Sequence, residues 1–201
     1  MVAYRGKRAL DLSIAVPAVA LSAPLQAITA LVVWARMGRP VLFRQQRPGL
    51  HGEPFEMVKF RTMKAPSPER GLIHDADRLT PLGSFLRSTS LDELPTLWNV
   101  VGGTMSLVGP RPLLMSYLDR YTPAQARRHE VRPGLTGLAQ VNGRNSITWE
   151  EKFARDIEYV DNHSLVGDLK IVALTARQVL RRDGISAEDS VTMPEFIGGT
   201  A

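Results

Sequence analysis

Residues 12–35 read LSIAVPAVALSAPLQAITALVVWA, and the reading of this stretch decides the architecture. It runs for 24 residues without a formal charge, long enough to cross a bilayer. It does not resemble a signal peptide, because the apolar run is too long and lacks a clear small-x-small cleavage site. Two features oppose a simple span. Pro17 and Pro24 interrupt the helix, and Ser13, Ser22, Gln26 and Thr29 dilute its apolarity. The flanks add a third: Arg5, Lys7 and Arg8 precede the stretch, and Arg36, Arg39, Arg44 and Arg47 follow it, so both ends ask for the cytoplasmic side. A helix that enters the membrane, breaks near Ser22-Ala23-Pro24 and returns to the same leaflet satisfies both flanks. In it the Ser22 hydroxyl would compensate part of the backbone that Pro24 leaves unbonded. A single span and a buried helix of a soluble protein remain the alternatives.

Charge is distributed unevenly along the 201 residues. Residues 1–64 hold ten Lys/Arg against three Asp/Glu, whereas the remainder holds fifteen against seventeen. The basic first third implies an anionic partner: membrane phospholipid, a nucleotide or nucleic acid. Nucleic acid fits least, because the positive charge flanks an apolar stretch and no aromatic-rich basic stripe follows. The absence of cysteine excludes disulfides, thiolate chemistry and Cys-ligated metals, and the four histidines have no metal-ligand spacing.

The chemistry concentrates in SLDELP at residues 90–95. Ser90 with Glu93 matches a capping box, which would place Asp92 and Glu93 in a first helical turn. Pro95 would distort the helix just after them. Cations surround this acidic pair in sequence: Lys59 and Arg61 before it, Arg87 beside it, and Arg111 held between two prolines in GPRP at residues 109–112. Carboxylates that can attack phosphorus or hold Mg²⁺, amid cations that neutralise phosphoryl oxygens, suit work on a phosphate ester. Dipole and capping effects alone also put acids in first turns.

The rest reads as a small α/β domain. Residues 41–47 and 55–61 form two short strands joined by a turn at 48–52. Thr80-Pro81 starts a helix, Gly102-Gly103 stops another, and Thr122-Pro123 starts one lasting to Glu130, with Arg127, Arg128 and Arg132 facing solvent or headgroups. The loops at 132–137 and 142–145 are dense in glycine and polar donors, which suggests that they bind something. Thr148 and Glu151 form a second capping box ahead of a helix with Trp149, Phe153, Ile157 and Val160 on one face. Asp156 and Tyr159 lie mid-helix, where a salt bridge to a nearby arginine is the plain account of the acid. Asp168 opens a last helix whose inward face would be Leu169, Val172, Ala176 and Val179 or Leu180, ending before Gly184. The domains expected are a re-entrant helix-turn-helix at 1–36, a catalytic domain at 37–185 and a tail at 186–201.

Several motifs occur in a fixed order: KRALD (7–11), FRQQRPG (43–49), KFRTM (59–63), LRSTSLDELP (86–95), MSLVGPRP (105–112), RPGLTGLAQVNGR (132–144) and DLK (168–170). Together they resemble the small bacterial sugar transferases, the polyprenyl-phosphate phosphoglycosyl transferases, over about four-fifths of the chain. One departure is Ser22-Ala23-Pro24, where the family has an adjacent Ser-Pro. The resemblance implies a mostly helical monotopic α/β membrane protein with a re-entrant helix, interfacial amphipathic helices and a small β-hairpin. Its place would be the cytoplasmic face of the bacterial inner membrane, and a homodimer is among the assemblies allowed.

The implied reaction moves a sugar-1-phosphate from a UDP-sugar to undecaprenyl phosphate with release of UMP. Asp92 would be the nucleophile, forming an acyl phosphate, and Glu93 would assist the second half-reaction. Mg²⁺ would sit on Asp92 or Glu93. Lys59, Arg87 and Arg111 would bind phosphoryl oxygens. Arg61, Arg144, Asn145 and Asp156 would contact nucleotide or sugar. Within that family the short form with a VTMPEF tail (191–196) looks most like enzymes that use N-acetylated or diacetamido-trideoxy sugars, so the resemblance implies UDP-N,N′-diacetylbacillosamine as donor, ahead of UDP-N-acetylhexosamines and UDP-hexoses. The rival readings are a non-enzymatic basic membrane adaptor and a UDP-releasing glycosyltransferase.

Overall fold

The computed structural model describes residues 4–143, 147–181 and 195–198. The first element is a 31-residue helix, α1 (Lys7–Met37). The helix-turn-helix expected here is one continuous helical element, with Pro17 and Pro24 inside it. Ser22 Oγ donates to the carbonyls of Ala18 (2.6 Å) and Val19, and accepts from Gln26 Nε2 at 2.9 Å. The hydroxyl therefore serves carbonyls one turn earlier, not that of Ala20, which Pro24 leaves without its amide. Such back-bonding bends a helix without breaking it.

Both ends of α1 are seated on the same globular body. At the amino-terminal end, buried Asp11 accepts from Ser106 Oγ (3.0 Å) and from the Leu107 amide (3.1 Å), and Arg8 donates to the carbonyls of Val100 and Val101. At the carboxy-terminal end, Val33 packs with Phe60 and Leu86, and Arg61 donates to the carbonyls of Met37, Gly38 and Arg39. Between these ends the helix is largely bare: Leu21, Leu25, Ile28 and Leu31 are exposed, Leu21 at 84 %.

Strands β1 (Leu42–Pro48) and β2 (Pro54–Phe60) form the expected antiparallel hairpin, with Phe43 opposite Lys59 and Arg47 opposite Phe55. After the short α2 (Asp75–Arg78), helix α3 (Pro81–Ser88) starts as the sequence implies, Thr80 Oγ1 accepting from the Gly83 amide. A 3₁₀ segment (Leu91–Thr96) leads into α4 (Leu97–Gly102), and then come β3 (Ser106–Val108), the short α5 (Pro123–Ala126), β4 (Gly134–Thr136) and α6 (Leu138–Val141). β3 and β4 pair in parallel. The last helices are α7 (Trp149–Asn162), whose Thr148–Glu151 capping box forms as expected, and α8 (Leu165–Arg181). The central core joins α1 to the sheets and the last helices through Ala15, Leu97, Met105, Val108, Val160 and Ile171.

Helix α8 is rotated from most of its expected facing, although Val172 packs on the core as expected. Its inner side is Asp168, Ile171, Thr175 and Gln178: Asp168 accepts from Tyr4, Lys7 and Tyr159, Thr175 bonds Thr136, and Gln178 donates to the Val141 carbonyl. These polar anchors turn Leu165, Val166, Leu169 and Val179 outward. Of the tail, Phe196 is buried against Tyr117 and Phe153, and Glu195 pairs with Arg120.

Candidate active site

The site is assembled on the free edge of β2. Both backbone groups of Val58 are taken by side chains from the next segment: Thr96 Oγ1 donates to its carbonyl at 2.8 Å, and Asn99 Oδ1 accepts its amide at 3.2 Å. Asn99 also donates to the Glu56 carbonyl at 2.7 Å. These bonds lay residues 91–99 against the strand and bring Glu93 to Lys59.

The acidic pair does not open an α-helix through a capping box. Ser90 adopts a left-handed conformation (φ 56°), makes no side-chain cap, and begins a six-residue 3₁₀ turn. Two causes converge: Pro95 has no amide to offer the α pattern, and the Glu93 carboxylate is drawn away from the Ser90 amide by cations. Lys59 Nζ lies 2.7 Å and Arg111 Nη2 2.6 Å from the same oxygen, Glu93 Oε1. Burial alone would raise the Glu93 pKa, but Arg111 and Lys59 outweigh it and hold the carboxyl well below the usual range. Lys59 is pulled down by its own burial, against the pull of Glu93.

Asp92 is 7 % exposed and makes no hydrogen bond or ion pair among the described residues. Burial, then the neighbouring charge of Glu93, pushes its pKa up to about 6, against Lys59, Arg111 and Arg87. It is thus a poorly solvated, unpaired carboxylate near three cations, which are the conditions for a nucleophile. Arg87 donates through Nε to Thr62 Oγ1 at 3.1 Å. Lys59, Glu93, Arg111, Arg47, Leu113 and Leu135 line one cleft.

Arg61 and Asp156, also expected at the site, make other contacts in this structure. Arg61 closes the end of α1. Asp156 is buried in an ion pair with Arg128, Nη2 to Oδ2 at 2.6 Å, which is the plain salt-bridge account of that acid. Arg144 and Asn145 lie outside the described residues. Arg128, expected at the surface, is 2 % exposed. It donates to Asp156 and, at 2.7 Å, to the backbone carbonyl of Arg111, so it fixes the loop that carries Arg111. Nothing in the run of charged residues around Arg128 signals this burial. The glycines of 132–137 also have a packing role: a Cβ on Gly134 or Gly137 would overlap the Gly109 backbone beside the β3–β4 pairing.

The model of the family described as "Bacterial sugar transferase" matches residues 2–182. The chain belongs to the bacterial sugar transferase family. It is 52 % identical over 193 residues to the uncharacterized sugar transferase EpsL of Bacillus subtilis, covering 96 % of each chain. A UDP-glucose:undecaprenyl-phosphate glucose-1-phosphate transferase of Caulobacter vibrioides is 44 % identical over 88 % of this chain and 70 % of its own. An undecaprenyl-phosphate galactose phosphotransferase of Salmonella typhimurium is 38 % identical over 89 % of this chain and 41 % of its own. This bacterial sugar transferase thus spans about two-fifths of that longer relative.

Proposed function

We propose that this transferase moves a sugar-1-phosphate from a UDP-sugar to undecaprenyl phosphate through a covalent intermediate on Asp92. The observation that carries this reading is the division between the carboxylates: Glu93 is clamped by Lys59 and Arg111, and Asp92 is left unpaired beside them. An Asp92 oxygen attacks the β-phosphorus of the donor. The bond from that phosphorus to the bridging oxygen breaks, and UMP departs with the bond's electron pair. Lys59, Arg87 and Arg111 balance charge on the phosphoryl oxygens. An oxygen of undecaprenyl phosphate then attacks the same phosphorus, releasing the Asp92 carboxylate and forming the lipid diphosphosugar.

The donor set fits Mg²⁺ that enters with its substrate. Among the described residues no group of three acidic or histidine side chains could hold a metal alone, and Mg²⁺ commonly takes one or two carboxylates together with substrate phosphate oxygens. Asp92 and the second oxygen of Glu93 would hold it. The ion would supply neutralisation of the diphosphate.

The membrane reading rests on α1. Its two ends are docked on one body, which supports both lying on the same side of a bilayer that its bare middle enters. The outward apolar side chains of α8 suit the interface with phospholipid. With the basic flanks this supports a monotopic protein on the cytoplasmic face of the inner membrane. Tags at Met1 and Ala201 should both report the cytoplasm; a periplasmic Met1 would contradict it. For the donor we propose UDP-N,N′-diacetylbacillosamine, with UDP-glucose and UDP-galactose, the sugars of the relatives' names, as competing arms. The test is product analysis in detergent with Mg²⁺, a UDP-sugar panel and undecaprenyl phosphate. UMP supports the reaction, UDP would make the chain a sugar-only glycosyltransferase, and no product from any donor would favour the adaptor.

A further inference from the structure

In sequence Arg47 is one of the charges that flank the apolar stretch, yet it lines the same cleft as Lys59, Glu93 and Arg111. Its Nη2 donates to a neutral acceptor, Gln45 Oε1, at 2.6 Å. Its Nε is buried with no hydrogen-bond partner, and no carboxylate pairs with it among the described residues. A half-buried guanidinium beside other cations is electrostatically unfavourable until an anion arrives. Consistently, burial and then the charge of Arg111 draw its pKa down to about 10.

The hairpin gives this cation a direction. Leu42 and Phe60, at one end, pack in the cluster that seats the carboxy-terminal end of α1 on the body. Arg47 lies five residues further along β1, about 17 Å at the usual strand rise. Arg87, by contrast, follows Leu86, which packs in that same cluster. One cation of the site therefore stands beside the apolar helix and another at the far end of the hairpin.

We infer that Arg47 is the binding residue for the phosphate of the departing nucleotide, the group that leaves as a nucleoside monophosphate, while the lipid phosphate approaches from the side of Arg87. This rests on the proposed phosphoglycosyl transfer and adds to it which side of the site takes which phosphate. UMP and undecaprenyl phosphate are both phosphate monoesters, so the test must separate them.

The experiment uses the full chain in detergent, as wild type, Arg47→Ala and Arg47→Lys, with folding of each followed by thermal melting. Direct titration with UMP alone should show weakening of about 10- to 100-fold for Arg47→Ala, the range expected for a lost charge-assisted hydrogen bond. Arg47→Lys, which keeps the charge without the fork, should fall between. Formation of the donor adduct should slow in parallel, while the chase of preformed adduct by undecaprenyl phosphate should stay within about twofold of wild type. Unchanged UMP affinity in a folded Arg47→Ala would overturn the assignment. So would a slowed lipid chase with UMP binding intact, which would give Arg47 to the lipid phosphate. If wild type forms no UMP from any donor, the reaction itself is wrong, an outcome distinct from both.

Discussion

Asp92 and Glu93 are adjacent in the chain and opposite in electrostatic state: Lys59 and Arg111 close on Glu93 Oε1, at 2.7 Å and 2.6 Å, and neither pairs with Asp92. Glu93 organises the positive charge, and in the proposed mechanism Asp92 is the carboxylate left free for phosphorus. A nucleophile already paired with a lysine would have to break that pair to react.

This reserve has a stability consequence. The folded-state pKa of Asp92, about 6, lies above its ordinary value, so between the two values the folded chain holds more protons than the unfolded one. Stability therefore falls as pH rises through that window, and the full penalty is present above it. Asp92→Asn should stabilise the chain at pH 7.5 in chelating buffer by roughly 1–3 kcal/mol, with the gain vanishing near pH 4. Thermal melting across pH checks this. An Asn variant no more stable than wild type at pH 7.5 would mean that the carboxylate is not under strain.

The buried Arg128–Asp156 pair should behave as a positioning device for Arg111, whose carbonyl it holds. Removing either partner alone should cost about 3–5 kcal/mol by leaving a charge buried and unpaired. The double substitution Arg128→Met with Asp156→Leu should recover much of that loss. It should not recover turnover, because the Arg111 carbonyl still lacks its donor, and the defect should show as a raised KM for UDP-sugar. Full activity in the stable double variant would reduce the pair to packing.

Gly134→Ala should abolish folding or leave an aggregated product, since its Cβ would overlap the Gly109 backbone beside the β3–β4 pairing. Gly102→Ala, whose Cβ meets nothing within 4 Å, is the control and should stay within about 1 kcal/mol of wild type. Soluble, folded Gly134→Ala protein that fails only in nucleotide binding would restore a ligand-binding role to that loop.

Much of this arrangement is legible in local sequence. The β-hairpin, the Thr80 and Thr148 caps and the adjacency of Asp92 and Glu93 are local features, although the cations that meet Glu93 come from 34 and 18 residues away. What escaped depends on contacts across the chain. Arg128 reads as a surface charge until Asp156, 28 residues away, is folded against it. The facing of α8 is set by Tyr4, Lys7 and Thr136, which no periodicity within the helix encodes. The Ser90–Glu93 box matched its pattern and failed because Lys59 and Arg111 outbid a backbone amide for the same carboxylate.

The central claim is that Asp92 carries the phosphosugar, and intact-protein mass spectrometry with donor alone tests it most directly. Full-length chain incubated with Mg²⁺ and the UDP-sugar that supports turnover, without undecaprenyl phosphate, should gain the mass of one phosphosugar and release UMP. Peptide mapping should place the adduct on Asp92, and Asp92→Asn should show neither adduct nor turnover. A phosphosugar mass that persists in Asp92→Asn, or that maps to Glu93 or any other residue, would contradict the account.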